Sequence, residues 1–272
     1  MLDTRTSPSG VVYYGSRLLD AVGVPHAFST RLGGVSPAPF DSLNLGNPSG
    51  CDTIDDGERI ERNYALLQDA IGCGGMPRCR LHQVHGAVVH SVRAGELFES
   101  GMKGDAMTSD DPDRVIAVRV ADCVPILVAS RDGRFVAAVH AGWRGVVANV
   151  VAGTVKQLRD RSGSSPASLV AAIGPCIGFD AFEVGSEVVA EFERVFGSAA
   201  PIRRTDDGKG RIDLRAAVML QILGAELLED QIDTTDRCTW RDANEFYSHR
   251  RDRGITGRMA TLIAPMRHGS LK

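Results

Sequence analysis

The sequence lacks most of the features that would place it in a special class. No apolar run approaches the roughly 18 residues a membrane helix needs, so no membrane span is expected. The first ten residues, MLDTRTSPSG, hold no apolar core of the kind a secretory leader carries. The expectation is therefore a cytoplasmic protein. There is no excess of positive charge either: 31 Lys and Arg stand against 34 Asp and Glu, for a net charge of −3. A nucleic-acid partner would call for a basic face. The one local basic cluster, His249, Arg250, Arg251 and Arg253, is short and broken by Asp252. No GxGxxG and no GxxxxGK[ST] occurs, which leaves a Rossmann site and a P-loop unsupported. Repeats and dividing linkers are also missing, so a single domain over 1–272 is expected, large enough to bury a full core. The six cysteines make an even number. In a chain of this size without an export signal, free thiols are the better reading.

What is present reads as intermixed strands and helices. Ser29–Ser36 is a polar loop with adjacent Gly33 and Gly34, expected as a turn between strands. Ile60, Tyr64, Leu67 and Ile71 fall at helical spacing and predict a helix over 57–71. Residues 114–129 read as two buried strands meeting near Asp122 and Cys123, and 134–140 as another. Val147, Val151, Val155 and Leu158 predict one helix over 144–160. A strand over 168–174, helices over 185–196 and 213–228, and a last strand over 257–265 follow. The rhythm is not strictly βαβ. The expected class is α/β of the mixed α+β kind, a mixed sheet with covering helices.

Seven histidines are scattered along the chain, at 26, 82, 85, 90, 140, 249 and 268. His140 ends a strand ahead of a Gly-Trp-Arg-Gly turn, and Cys123 sits at a break between two strands. No tight ligand spacing such as CxxC or HExxH is present, and a cysteine in an apolar strand is ordinarily a small core residue. Placement is the better signal, since strand ends present side chains to clefts. Two imidazoles and a thiolate would suit zinc, and three protein ligands leave one position for water or substrate. Such an ion lowers the pKa of a bound water to about 7. Asp122 could orient a ligand, move a proton or cap a turn. Arg31, Arg144, Arg250 and Arg251 lie in loops or at element ends, where a guanidinium fork can grip phosphate.

A set of segments then makes the chain familiar: STRLGGVS (29–36), FDSLNLG (40–46), HQVHG (82–86), VADCVPIL (120–127), AVHAGWRG (138–145), IGPCIG (173–178), FEVG (182–185), DLRAA (213–217), DRCT (236–239), FYSHRRD (246–252) and TGRMA (256–260). Together they resemble the laccase-domain family, also known as multicopper polyphenol oxidase or peptidoglycan-editing-factor proteins and read as zinc-dependent purine nucleoside phosphorylases. The resemblance implies a layered α/β/β/α sandwich with mixed sheets. It implies zinc, with copper as the alternative metal, on His85, Cys123 and His140, with His82 as the competitor for His85. The implied activity is phosphorolysis of adenosine, inosine and methylthioadenosine, with deamination of adenosine. The partners would be purine nucleosides and phosphate, with no nucleic acid and no membrane, in a monomer or homodimer. Cys123, Asp122 and Glu183 are the catalytic candidates, and Arg31, Asn44, Arg144 and Arg250 the candidates for holding substrate or phosphate. One position departs from the pattern: Tyr64 stands where the family usually has an arginine, which shifts a phosphate contact to another residue.

Three other readings compete. A copper laccase needs about ten histidines, mostly as His-x-His pairs, and this chain has seven and no such pair. A hydrolase with Cys123 as nucleophile and His140 as base, acting on a cell-wall precursor such as a muramyl-L-serine compound, is chemically competent. A non-enzymatic binding module would leave the metal dispensable.

Overall fold

The computed structural model describes residues 1–267; His268 lies outside them. Two six-stranded sheets stack face to face. The first runs, edge to edge, Asp3–Thr6, Val12–Gly15, His26–Ser29, Met259–Ile263, Val115–Val120 and Arg78–Arg80. It is antiparallel except where Arg78–Arg80 joins Val115–Val120 in parallel. The second runs Ile232–Asp233, Leu169–Ile173, Val124–Ser130, Val136–Ala141, Ala106–Ser109 and Val89–Val92, with parallel pairs at its two edges. A small third sheet holds Glu183–Val184, Gly210–Ile212 and Ile202–Arg204.

Alternation of side chains explains the layers. In Val124–Ser130, Val124, Ile126 and Val128 face helices Val150–Ser162 and Leu214–Gly224, while Leu127 and Ala129 face the first sheet. In Val115–Val120, Ile116, Val118 and Val120 meet that same inner layer, while Val115 and Ala117 turn to helix Gly57–Ala70. Strands covered on both faces are largely apolar, as the sequence suggested, with Arg119 the exception inside Val115–Val120. The order is helix, sheet, sheet, helices: an α/β/β/α sandwich.

Three expectations are corrected. The helix expected over 144–160 is two, Trp143–Val147 and Val150–Ser162, because Asn149 between them is left-handed with φ 61°. Asparagine tolerates that conformation, so the valine periodicity runs across a break it does not reveal. The helix expected to reach 228 stops at Gly224, and Glu226 follows with φ 71°. The Ser29–Ser36 loop is not a turn between strands; the chain after Ser29 continues without a strand to helix Gly57–Ala70, which Asp56 caps through the N–H of Glu58.

That long loop is organised by one buried side chain. The Asn63 amide donates to Ser36 Oγ (2.9 Å), the Asn44 carbonyl (2.8 Å) and the Ser42 carbonyl (3.3 Å), and accepts the Val35 N–H (2.8 Å). Asn44 in turn accepts the N–H groups of Gly46 and Arg258 and donates to Asp55. The loop is thereby tied to the start of the last strand, which matters for the cavity below.

Two stability predictions follow from buried polar groups. Asn63→Ala strands several of these partners, and since an unpaired buried group costs about 1–3 kcal/mol, the variant should lose roughly 3 kcal/mol in urea unfolding. A loss under about 0.5 kcal/mol, the level of an ordinary surface change, would remove Asn63 as the organiser. His26 is buried and neutral: Nε2 accepts the Ser16 N–H (2.7 Å) and Nδ1 donates to the Val24 carbonyl (2.9 Å). Burial holds its pKa below the ordinary 6.5. The unfolded chain takes up that proton first, so the stability His26 contributes is complete above pH 6.5 and is lost as pH falls toward the lower folded value. Unfolding free energy measured at pH 7.5 and 5.5 should drop less in His26→Gln than in the parent; an equal drop would assign the loss to other groups.

Candidate metal centre

The site lies where the chain passes from one sheet to the other. Val120 ends a strand of the first sheet and Val124 begins one of the second, with Ala121, Asp122 and Cys123 between. Asp122 makes the turn with φ 89°. His140 sits on the neighbouring strand, paired with Pro125. His85 lies in the loop that carries the chain from Arg80 in the first sheet to Val89 in the second. Three sequence-distant residues therefore meet at the ends of strands, where the chain changes sheets. Their ligand atoms lie within 4.8 Å of one another. The two imidazoles stand edge to face, centroids 4.9 Å apart. Space is tight: a Cβ on Gly142 would fall 2.8 Å from His85 Cδ2 and 3.0 Å from Cys123 Sγ, so the turn after His140 needs glycine.

Asp105, which nothing in the sequence singles out, orders the cluster. Its fully buried carboxylate accepts His140 Nδ1–H (2.9 Å), His85 N–H (2.9 Å) and Gly86 N–H (2.7 Å). His85 is held at φ 58°, an arrangement that costs a non-glycine residue about 1–2 kcal/mol. Burial alone would raise the Asp105 pKa; His140 and the two backbone donors outweigh it and hold the group below its usual range. With Nδ1 engaged, His140 turns Nε2 to the cluster. Gln83 pins the same loop to the first sheet, exchanging hydrogen bonds with both the carbonyl (2.7 Å) and the N–H (2.8 Å) of Arg119.

Charge in the cluster follows from proximity. Burial opposes ionisation of Cys123, but the imidazole of His140, and then that of His85, bring its thiol down to about 6. Burial likewise opposes the His140 cation, but the Cys123 thiolate and the Asp105 carboxylate raise it to about 9. Near neutrality the metal-free pair is a thiolate beside an imidazolium. One sulfur and two nitrogens are the donor set zinc favours, and three protein donors leave a fourth position open. The cluster fits a metal ion.

The cluster opens on a cavity of about 300 Å³. Ile177 and Phe182 supply an apolar wall, and Arg119, Arg258, Arg250 and His249 surround the rest. Asp122 lines it too, but its carboxylate is engaged by Thr239 Oγ1 (2.6 Å) and Arg250 N–H (2.7 Å). Arg250 donates to the Glu183 carbonyl (2.8 Å). The other expected residues sit elsewhere. The Glu183 carboxylate pairs with Lys209 and is not part of the cavity lining. Arg31 is bound to Asp41 and stacked on Tyr247. Asn44 is buried in the loop network, and Arg144 is exposed over Trp143. Arg251 is paired with Asp252. Tyr64 is buried beneath Arg78, 3.5 Å from its ring centroid, and does not line the cavity. His82 is exposed, bridges Lys103 through its backbone, and is outside the cluster. Sequence reading missed Asp105, Gln83, Arg119, His249 and Arg258. For Arg119 a signal existed, a cation inside the apolar run VIAVRV.

Known proteins share this arrangement of chain. The profile of the family described as multi-copper polyphenol oxidoreductase laccase matches residues 25–265. The chain is 42% identical over 245 residues to purine nucleoside phosphorylase YfiH of Escherichia coli strain K12, covering 89% of this chain and 93% of that protein. It is 36% identical over 249 residues to a purine nucleoside phosphorylase of Deinococcus radiodurans, covering 91% and 92%. The crystal structure of YlmD from Geobacillus stearothermophilus superposes with a TM-score of 0.86 at 30% identity, covering 97% of this chain and 99% of that one. With a profile matched over most of its length and relatives this similar end to end, the chain belongs to the multi-copper polyphenol oxidoreductase laccase family.

Proposed function

We propose that the protein is a zinc-dependent purine nucleoside phosphorylase acting on adenosine, inosine and methylthioadenosine, with adenosine deamination at the same site. The observation that carries this reading is the His85–Cys123–His140 cluster in the wall of a cavity that apolar and basic side chains also line. The names borne by the Escherichia coli and Deinococcus relatives support it. A copper laccase is disfavoured by the residues themselves: seven histidines without a His-x-His pair cannot build a multicopper cluster.

His85, Cys123 and His140 would hold the zinc, with Asp105 fixing the tautomer of His140. When bound, the ion supplies Lewis acidity beside the substrate. Ile177 and Phe182 offer a face on which a purine can lie. Departure of the base needs a proton. Asp122 is committed to Thr239 and Arg250, and Glu183 to Lys209. His249 lines the cavity, and among the described residues its ring nitrogens have no hydrogen-bond partner. Partial burial, then Arg258, holds it below its usual pKa, which makes its protonated form the stronger acid. We assign it the proton transfer to the purine.

A second reading has its own observation. The thiolate of Cys123, the imidazolium of His140 and the Asp105 carboxylate are also the parts of a cysteine hydrolase, which could act on a cell-wall precursor. The same sulfur cannot both ligate zinc tightly and attack an amide, so metal content separates the two.

Protein purified without added metal should carry one zinc per chain by mass spectrometry and release adenine from adenosine only when phosphate is present. His85→Ala, Cys123→Ala and His140→Ala should each lose both zinc and turnover. Full turnover in a metal-free variant would sink the assignment, and a metal-free parent that cleaves muramyl amides would establish the hydrolase. His249→Ala should keep its zinc and lower kcat for phosphorolysis by about 10²-fold, the lower end of what general acid catalysis contributes. An effect on nucleoside KM alone would make His249 a binding group.

A further inference from the structure

Arg119 stands on strand Val115–Val120 of the first sheet, and Arg258 immediately precedes the adjacent strand Met259–Ile263. Arg119 pairs with Ala260, and Arg258 lies two residues before that partner, which places the two as diagonal neighbours on one face. Both line the cavity beside the ligand cluster. Most arginines of this protein are matched to carboxylates, among them Arg78 to Glu61, Arg161 to Asp110 and Arg204 to Glu193. Among the described residues, neither Arg119 nor Arg258 is in an ion pair. Arg258 spends Nη1 on the carbonyls of Thr256 (2.9 Å) and Gly257 (3.0 Å), which fix its orientation without neutralising it. The Arg119 side chain donates to no protein group among the described residues, and the loop opposite is cut back to receive it: a Cβ on Gly46 would fall 2.8 Å from Arg119 Nη1.

The nearby anions do not fill the gap. Asp122 and the Cys123 thiolate both act on Arg258 through space, but Asp122 is engaged by Thr239 and the Arg250 N–H, and Cys123 belongs to the ligand cluster. Burial and the adjacent Arg119 instead push the Arg258 pKa down, which records two cations held together at a cost. Asn47 and Ser49 add neutral polar groups to the same wall.

We propose that Arg119 and Arg258 form an oxyanion subsite that takes a phosphate group beside the His85–Cys123–His140 cluster. Guanidinium forks match phosphate oxygens two at a time. The identity of the ligand as free phosphate rests on the phosphorylase reading; the phosphate of a nucleotide would present the same chemistry. In the phosphorylase, a phosphate oxygen held there forms a bond to C1′ as the C1′–N9 bond breaks. The bonding pair leaves with the purine, which takes up a proton, and ribose 1-phosphate is the second product.

The test uses the zinc-loaded full-length protein and calorimetric titration with inorganic phosphate, with adenosine 5′-monophosphate and with adenosine. Arg119→Gln and Arg258→Gln should each weaken phosphate binding tenfold or more, with zinc content and adenosine affinity within twofold of the parent, and Arg119→Lys should recover part of the loss. Phosphate binding unchanged in both glutamine variants, or a parent that binds neither phosphate nor adenosine 5′-monophosphate at millimolar concentration, overturns the subsite. Loss of nucleotide binding without any binding of free phosphate keeps the subsite and overturns its role in holding the attacking group. Loss of phosphate binding in the variants of a protein that turns over no nucleoside keeps the subsite and removes the phosphorylase reading alone.

Discussion

The Asp105 carboxylate is the interaction on which the centre depends. One buried group fixes the ring of His140, the backbone of His85 and the turn at Gly86. Its own backbone carbonyl accepts the His140 N–H (2.8 Å) as well, so side chain and main chain bind the same residue. A buried carboxylate without such partners would be expelled or protonated. With them it stays charged, and that charge favours a cation or a metal on the imidazole it faces. The strain of a left-handed His85 is thus balanced locally, and two of the three residues of the cluster are held in place by protein contacts alone.

The stacking of the two sheets supplies the rest. Strands covered on both faces cannot shift register without moving apolar side chains into the wrong layer. The short segment Ala121–Cys123 spans from one sheet to the other, so Cys123 is fixed at both ends by strands whose cores are closed. His85 is carried by a second crossing between the same two sheets. A cavity at a place where the chain changes sheets is therefore a consequence of the fold: neither sheet can extend there, and polar side chains can face a common space without breaking either core.

Much of this was legible in the sequence, and the parts that were not share a cause. The valine-rich runs around Cys123 and before His140 marked buried strands, and the break between them marked Cys123 as a residue at the opening of a cavity. The family resemblance selected His85 over His82. Helix ends were blurred because periodicity reports a face and not a terminus; Asn149 interrupts the helix without interrupting the valines. Asp105 escaped because a carboxylate before a strand looks like any loop residue until its four donors are assembled from residues 84, 85, 86 and 140. Conversely Asn44, Arg31 and Glu183 were attractive as loop residues with useful chemistry, and the fold gives each a protein partner. Type and position say what a side chain can do, whereas only the assembled neighbours say whether that capacity is already used.

That distinction orders the polar residues around the cavity. Asp122, Asp105 and Gln83 have their hydrogen-bonding capacity taken up by the protein, and they hold geometry. Cys123, His140 and His85 direct their donor atoms at one another, and against burial the imidazoles draw the Cys123 thiol down while the thiolate and Asp105 draw His140 up. His249 lines the cavity beside Arg119 and Arg258, and among the described residues the two arginines meet no carboxylate that would neutralise them. Unmatched cations next to a half-buried centre are costly in an empty protein and favourable only when something negative is bound. Asn44 accepts the Arg258 N–H and Gly46 leaves space for Arg119, so the loop that begins at Thr30 and is anchored by Asn63 sustains that arrangement. The longest irregular segment of the fold thereby acts as the back wall of the cation pair.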